Sequence, residues 1–163
     1  MTRNIKKAER LVIEEQRLAA LEEIRALKYN YCHALDAKDW RRFATLFTVD
    51  GSADMREAGP SDMPGMILIE GRDNMMDYVQ EAVDHLKTCH HVFAPLIEFD
   101  GDDCAQGLWQ MEDRLFERDS EGWKLALHGL GHYHETYLRR DGKWKIHHVK
   151  LTRENLSFGS SIC

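Results

Sequence analysis

Residues 103–118 of the chain read DCAQGLWQMEDRLFER, and the alternation of apolar and polar side chains in this stretch decides the fold. The residues at every second position are small or apolar apart from one carboxylate, and they are Ala105, Gly107, Trp109, Met111, Asp113 and Leu115. The residues between them are mostly polar. Because successive side chains of a β-strand point to opposite faces, this pattern predicts a strand with one buried face.

Three more segments of the second half have the composition of strands. They are rich in β-branched and aromatic residues, and they cover residues 89–99, 124–139 and 143–154. The breaks at 100–102, 120–122 and 141–142 contain Asp-Gly or Glu-Gly pairs, which are typical of tight hairpin turns. The second half of the chain is therefore predicted to form a run of antiparallel strands.

The first half of the chain has the spacing of helices. Apolar residues recur every three or four positions from about residue 5 to residue 35, and again over residues 39–47 and 72–87. Residues 51–65 carry glycine and proline turn signals and predict a short strand and a mobile loop, before a brief strand at 66–70. The sequence thus predicts an α+β fold, a cone-shaped α+β barrel in which N-terminal helices pack on a curved, mainly antiparallel sheet around a pocket.

Length and charge restrict the class of protein. The 163 residues suit a single domain, residues 1–163, with residues 1–17 as an N-terminal helical extension. A net charge of −6 argues against nucleic-acid binding, which needs a concentrated basic face. The chain lacks an apolar run of membrane-spanning length and an apolar signal-peptide core, so we expect no membrane association. Four cysteines without a CxxC pair favour reduced thiols and a cytoplasmic location.

Nine histidines raise the question of a metal site. His132 and His134 lie side by side on one face of a predicted strand, a spacing that can chelate a metal. The alternation along that strand, however, directs them away from the pocket, toward solvent or a subunit interface. We therefore expect no metal site.

A different set of residues can perform acid–base chemistry. Tyr31 is in phase with the apolar stripe of the first helix, so its hydroxyl needs a buried partner. Asp36 can share that pocket if the helix ends beside it, and either His90 or His91 must point inward from the following strand. Asp113 interrupts an apolar row, where a carboxylate is paired, shifted in pKa or chemically active. Each of these residues also has a purely structural interpretation, in which it only bonds and orients a neighbour.

The same residues belong to motifs that resemble the SnoaL-like branch of the nuclear-transport-factor-2-like (NTF2-like) superfamily. The motifs are YCHALD at 31–36, GLWQMEDRL at 107–115, YHETY at 133–137 and DGKW at 141–144. The pattern is most similar to that of bile acid 7α-dehydratases, while hexachlorocyclohexane dehydrochlorinases and scytalone dehydratases are more distant. The resemblance implies that the catalytic residues are Tyr31, Asp36, His90 and Asp113, and it prefers His90 to His91.

The function implied by this resemblance is that of a cofactor-independent lyase. Such a dehydratase removes water from a hydrophobic cyclic carbonyl substrate of steroid or polyketide type, with His90 and Asp36 as the base and Tyr31 as the acid. The dehydrochlorinases carry lysine in place of Tyr31, so tyrosine favours an oxygen leaving group. Side chains expected to bind the substrate are Met55, Phe93, Trp109, Met111 and Tyr133.

Two alternatives remain open at this point. A double-bond isomerase or cyclase uses the same acid–base set without losing a leaving group, whereas a non-catalytic binding or assembly module keeps it as an inert network. The resemblance also implies a homo-oligomer, expected to be a trimer. Leu108, Phe116 and Leu130, predicted on the outer face of the sheet, suit such a subunit contact.

Overall fold

The computed structural model describes residues 2–60 and 66–159, with side chains from residue 10 onward. The helices are α1 (Thr2–Asp36), α2 (Trp40–Ala44) and α3 (Arg72–Val83). The strands are β1 (Phe47–Glu57), β2 (Leu68–Glu70), β3 (Lys87–Val92), β4 (Leu96–Phe99), β5 (Cys104–Asp119), β6 (Gly122–Arg140) and β7 (Lys143–Phe158).

All of these strands belong to one seven-stranded sheet. Its order is β2-β1-β7-β6-β5-β3, and β4 pairs with β5 as well. The β1–β7 pair is parallel, and the other pairs are antiparallel. In the described chain the sheet is open, because β2 and β3 at its two ends do not pair with each other. The predicted α+β class, with N-terminal helices on a mainly antiparallel sheet, is confirmed.

The predicted alternation on β5 and β6 produces the core. Trp109, Met111 and Tyr137 on the inner face are at most 1% exposed, whereas Gln106 and Gln110 on the opposite face are exposed. α1 packs against β3 and β7, and its apolar stripe is buried there. Removal of this apolar surface from water is the main source of stability, and it places the core between α1 and the sheet.

α1 ends in a left-handed turn that fixes the position of its last residue. The amide of Asp39 donates to Ala34 O at 2.9 Å and the amide of Lys38 donates to Leu35 O at 3.2 Å, which is the pattern of a Schellman cap. Lys38 has a φ of +56° at the position of this cap where glycine is usual. The helix therefore stops at Asp36, as the predicted acid–base set requires.

Two helix ends differ from the prediction. The second helix ends at Ala44 instead of residue 47, because the chain turns into β1 and Phe47 pairs in parallel with Ile146 of β7. The third helix ends at Val83 instead of residue 87, because Lys87 already pairs with Phe116 of β5. Both ends are decided by pairing with distant strands, and helical spacing contains no information about that pairing.

The strand predictions also need correction. The single strand predicted over 89–99 is two strands, interrupted before Leu96 by a segment with Pro95, which has no amide hydrogen to donate. The short strand predicted within 51–65 is the long β1, and the part of the predicted mobile loop at 61–65 lies outside the described residues. β7 extends to Phe158, which pairs with Leu127, instead of ending at 154.

The early turns of α1 expose apolar side chains. Leu11, Val12, Ile13 and Leu18 are each at least 50% exposed. This segment includes much of the predicted N-terminal extension. Within the described chain, none of the helices combines the length and apolarity that a membrane span requires.

Candidate active site

A cavity of about 460 Å³ lies between α1, α3 and the inner face of the sheet. Its size suits a small organic molecule. The walls are mainly apolar and include Leu35, Met55, Val79, Val83, Leu115, Leu127, Leu151, Leu156 and Phe158. Several polar side chains also reach the cavity, among them Tyr31, His90, Asp113 and Arg153. The cavity therefore combines an apolar binding space with a small group of ionisable side chains.

Asp36 and His90 form a hydrogen-bonded pair beside the cavity. Nδ1 of His90 lies 2.6 Å from Oδ1 of Asp36, and the backbone amide of His90 donates to Oδ2 at 2.9 Å. Because an ionised carboxylate only accepts hydrogen bonds, this contact places the imidazole proton on Nδ1. Nε2 then carries the free lone pair on a ring that lines the cavity. The arrangement is that of a general base held by a carboxylate.

The carboxylate of Asp36 receives a further hydrogen bond, from the Thr88 hydroxyl at 2.9 Å. Burial on its own raises the pKa of this carboxyl, but the hydrogen bonds and charge of His90, together with Thr88, outweigh burial and hold the pKa below its ordinary value. Asp36 is therefore ionised at neutral pH, and it stabilises positive charge on His90.

Tyr31 reaches the same cavity from α1. Its ring is 5% exposed and packs against Phe43 and Tyr133, with ring centroids 5.0 Å and 5.7 Å apart respectively. Burial, and next the charge of Glu135, raise the pKa of Tyr31 far above its ordinary value. The hydroxyl therefore keeps its proton and is available as a hydrogen-bond donor.

Asp113 is the cross-strand neighbour of His90 between β5 and β3, but its carboxylate is bound to an arginine. Arg153 donates Nη1 to Oδ1 at 2.7 Å and Nη2 to Oδ2 at 2.6 Å, a bidentate ion pair. Burial lowers the pKa of Arg153, and Asp113 more than offsets this effect, so the guanidinium stays charged. The pair leaves Asp113 without a free carboxylate to act as a second base.

A second ion pair, between Lys28 and Glu135, lies buried beside the rings of Tyr31 and Tyr133. Nζ of Lys28 is 2.5 Å from Oε1 of Glu135, and both side chains are 0% exposed. The same ammonium lies 3.9 Å from the ring centroid of Tyr31 and 3.5 Å from that of Tyr133. Glu135 also accepts from the Tyr137 hydroxyl. This network ties α1 to β6 directly behind the cavity.

The structure brings most of the predicted residues together and moves others away. Tyr31, His90, Asp113, Met55 and Tyr133 line the cavity, and Asp36 adjoins it through His90. Three other side chains that are predicted to bind the substrate, Phe93, Trp109 and Met111, do not line this cavity. Phe93 is 47% exposed in the interruption between β3 and β4. Trp109 and Met111 are buried in the core below the cavity, where the Trp109 indole donates to the Tyr137 hydroxyl at 2.7 Å.

Of the neighbouring residues His90 and His91, only His90 lines the cavity, because successive side chains of β3 point to opposite faces. His91 points away from the cavity, is exposed and lies 3.7 Å from Cys89 Sγ. His132 and His134 lie on the outer face of the sheet, with partners in Glu154 and Thr152 respectively. Among the described residues, no group of three or more His, Cys, Asp and Glu side chains is arranged to hold a metal ion.

Arg153, Lys28 and Glu135 were not singled out from the sequence. Arg153 follows the buried residues Val149 and Leu151 on the inner face of β7. An arginine in such an alternating apolar row is the sequence feature that indicates a buried charged residue. Glu135 similarly interrupts the inner row of β6. Lys28 lies three residues before Tyr31 on the buried stripe of α1, where a charged residue needs a partner.

Comparison with known proteins agrees with this architecture. Residues 16–150 match the model of the SnoaL-like domain family. Rv3472 of Mycobacterium tuberculosis, a protein of unknown function, is 25% identical, with a TM-score of 0.68 over 88% of this chain and 76% of that one.

Two further structures share the fold at lower identity. A Novosphingobium aromaticivorans protein provisionally named a scytalone dehydratase has a TM-score of 0.75 at 18% identity, covering 89% of this chain and 91% of its own. The hexachlorocyclohexane dehydrochlorinase LinA-type3 of Novosphingobium barchaimii has a TM-score of 0.72 at 19% identity, covering 92% and 96%. Because the match to residues 16–150 spans well over half of the sequence, the chain belongs to the SnoaL-like domain family.

Proposed function

We propose that this protein is a cofactor-independent dehydratase that removes water from a hydrophobic cyclic carbonyl compound. The observation that carries the proposal is the Asp36–His90 pair, 2.6 Å apart, beside a cavity with mainly apolar walls. A histidine held by a half-buried carboxylate is suited to abstract a proton, and the apolar walls favour a substrate with a hydrocarbon framework.

The first step is the removal of a proton from the carbon next to the carbonyl group. Nε2 of His90 takes this proton, and the electron pair of the C–H bond moves into an enolate. Asp36 stabilises the imidazolium that forms, because its carboxylate is ionised and accepts the Nδ1 hydrogen bond. Arg153, whose charge is retained beside the cavity, favours the negative charge that develops on the enolate oxygen.

The second step is the loss of the hydroxyl group. The enolate electron pair forms the new carbon–carbon double bond as the C–O bond breaks. Tyr31 donates a hydrogen bond to the leaving oxygen and passes its proton to it as the C–O bond breaks. The proton on His90 returns to Tyr31 through the water molecule formed, so the enzyme is regenerated and one water is released.

Several features of the cavity support a bulky apolar substrate. Met55, which lines it, is a flexible and polarisable side chain that adapts to irregular shapes. Leu156 and Phe158 at the end of β7 extend the apolar wall beyond the strand end that the sequence predicted. Hydroxylated steroid ketones and polyketide-type ketones have the required carbonyl group, leaving hydroxyl and apolar framework.

The proposal is tested with a panel of hydroxylated steroid and polyketide-type ketones, by mass spectrometry of the products. We expect at least one compound to lose the mass of one water. On that compound, His90→Ala is expected to reduce kcat by about 100-fold or more, because general-base catalysis contributes roughly 10²–10⁴-fold. His91→Ala on the same strand is the matched control and is expected to behave like the wild type.

Other results contradict the proposal in distinct ways. A product with the mass of the substrate and a shifted double bond identifies an isomerase that uses the same base. Water loss that is unaffected in His90→Ala excludes His90 as the base. Binding of panel compounds without conversion indicates a ligand-binding module.

A further inference from the structure

The turn after α1 connects a lysine to the Asp36–His90 pair through a threonine. Nζ of Lys38 lies 3.0 Å from Oγ1 of Thr88, and the same oxygen lies 2.9 Å from Oδ1 of Asp36. Oδ1 of Asp36 in turn lies 2.6 Å from Nδ1 of His90. The four side chains form one hydrogen-bonded series that leads from the partly exposed Lys38 to the cavity.

The lysine fixes the direction of the hydrogen bonds in this series. An ammonium group donates and cannot accept, so Oγ1 of Thr88 accepts the bond from Lys38. The hydroxyl proton of Thr88 is then directed to Asp36, which as an ionised carboxylate only accepts. Asp36 is thereby held by Thr88 on one side and by the ring and amide of His90 on the other.

The backbone at Lys38 supports a role for its side chain. Its φ of +56° lies in the left-handed region, where a residue with a Cβ is disfavoured relative to glycine. A disfavoured conformation that places a side chain in contact with a candidate site is a reason to assign that side chain a function.

An aromatic ring and two carboxylates surround the Lys38 ammonium. Nζ lies 5.8 Å from the ring centroid of Trp40, and the indole of Trp40 donates to Asp84 at 3.0 Å. Burial holds the pKa of Lys38 below its ordinary value, and the carboxylates of Asp36 and Asp84 offset only part of this effect. The ammonium thus lies between Thr88 of β3, which accepts its hydrogen bond, Trp40 at the start of α2 and Asp84 directly after α3.

We propose that Lys38 and Thr88 are positioning residues that hold Asp36 in the orientation in which it presents His90 to the cavity. Neither side chain lines the cavity, so both act through Asp36 and not by contact with substrate. The inference deepens the proposed function and rests on the role of His90 as the base.

The test uses two removal variants and two controls. Lys38→Gly removes the ammonium and places glycine in the left-handed turn, so the fold is retained and its denaturation midpoint is unchanged or higher. Thr88→Val removes the hydroxyl at constant shape, and Thr88→Ser restores it. Lys87→Met removes an ammonium from the neighbouring exposed position of β3.

The first measurement is the proton NMR resonance of His90 Nδ1–H in the ligand-free protein. We expect this resonance to move or disappear in Lys38→Gly and in Thr88→Val, and to stay in place in Thr88→Ser and in Lys87→Met. A resonance in Lys38→Gly that coincides with that of the Lys87→Met control overturns the proposal. If Thr88→Val does not fold, Lys38→Gly alone decides.

The second measurement is the turnover of whichever panel ketone loses water. Because Asp36 is charged, loss of a hydrogen bond in this series is expected to reduce kcat about tenfold, with KM within about twofold of the wild type. An unchanged kcat in both removal variants overturns the proposal. If the wild type dehydrates no panel ketone, the proposed function fails, while the resonance still tests the positioning role independently.

Discussion

Gly129 is the residue that leaves space for the ion pair between Asp113 and Arg153, which lines the cavity. It is the cross-strand neighbour of Asp113 on β6, and a Cβ atom there would lie 2.2 Å from Nη1 of Arg153 and 2.6 Å from Oδ1 of Asp113. Both distances are far shorter than van der Waals contact. The absence of a side chain at this position is therefore a condition for the bidentate Asp113–Arg153 pair.

Replacement of this glycine should separate the ion pair. In Gly129→Ala the added methyl group displaces Arg153 from Asp113, and we expect the free energy of unfolding to fall by about 1 to 3 kcal/mol, the usual range for overpacking. Urea denaturation measures the change. Elimination activity should fall as well, because Arg153 faces the cavity. Stability equal to that of the wild type would show that the pair moves aside without loss.

Asp36 makes the stability of the fold depend on pH. Its folded pKa lies below the ordinary value of 3.8, so its ionised form stabilises the fold above that pH, and this contribution is lost as pH falls through the folded pKa. Between about pH 5 and about pH 3 the wild type should therefore lose more stability than Asp36→Asn. Urea denaturation over that range tests this, with the exposed Asp77→Asn as the control. Parallel curves for wild type and Asp36→Asn would contradict it.

At the level of elements, the Lys28–Glu135 pair joins the first helix to the middle of the sheet. Both charges are fully buried, and the ammonium also contacts the rings of Tyr31 and Tyr133. A buried charge without its partner is strongly unfavourable, whereas loss of both charges together is tolerated better. The pair thus makes the packing of α1 on β6 dependent on two residues far apart in the chain.

This dependence can be measured with a double-mutant cycle. Lys28→Met alone is expected to reduce the free energy of unfolding by about 3 to 5 kcal/mol, since Glu135 is left buried and unpaired. Lys28→Met combined with Glu135→Gln should be more stable than the sum of the two single changes predicts. Denaturation of the four proteins gives the coupling. Additive losses would show that the two charges do not depend on each other.

Local patterns in the sequence predicted the elements whose structure is decided locally. The alternating rows of β5 and β6 and the hairpin turns follow from the side-chain period of a strand and from Asp-Gly chemistry. The end of α2 was misplaced because Phe43, Leu46 and Phe47 have helical spacing, although Phe47 pairs with Ile146 at the other end of the chain. A pairing over such a sequence distance leaves no local signal.

The residues of the candidate site also fall into two groups: those that local sequence patterns predict and those that depend on the pairing of distant strands. Tyr31 and Asp36 could be predicted from helix phase and from the turn that ends α1, and His90 from strand parity together with family resemblance. The ion pair between Asp113 and Arg153 could not, because it requires the relative register of β5, β6 and β7. Strand parity predicts the face on which a side chain lies but not its distance from the cavity, so it could not show that Trp109 lies in the core and does not line the cavity.

For the whole molecule, the outer face of the sheet remains available for assembly. Leu96 is 70% and Leu130 is 40% exposed, and a groove of about 410 Å³ on this face is lined in part by Leu96, Leu108 and His134. We expect a homotrimer, with sedimentation equilibrium giving the mass of three chains. Leu130→Asp should lower that mass, while Leu18→Asp on exposed α1 should not. The mass of one chain for the wild type would contradict this expectation.

The position of β7 has a consequence for how the protein is made. β7, which comes last along the chain among the described strands, lies in the middle of the sheet order, between β1 and β6, and it carries Arg153. A growing chain on the ribosome can form α1 early, but until β7 emerges the sheet consists of two separate parts, β2-β1 and β6-β5-β3. Because non-local pairing is slow, Arg153 joins the other polar groups of the cavity only after β7 has been synthesised and has paired with its neighbours.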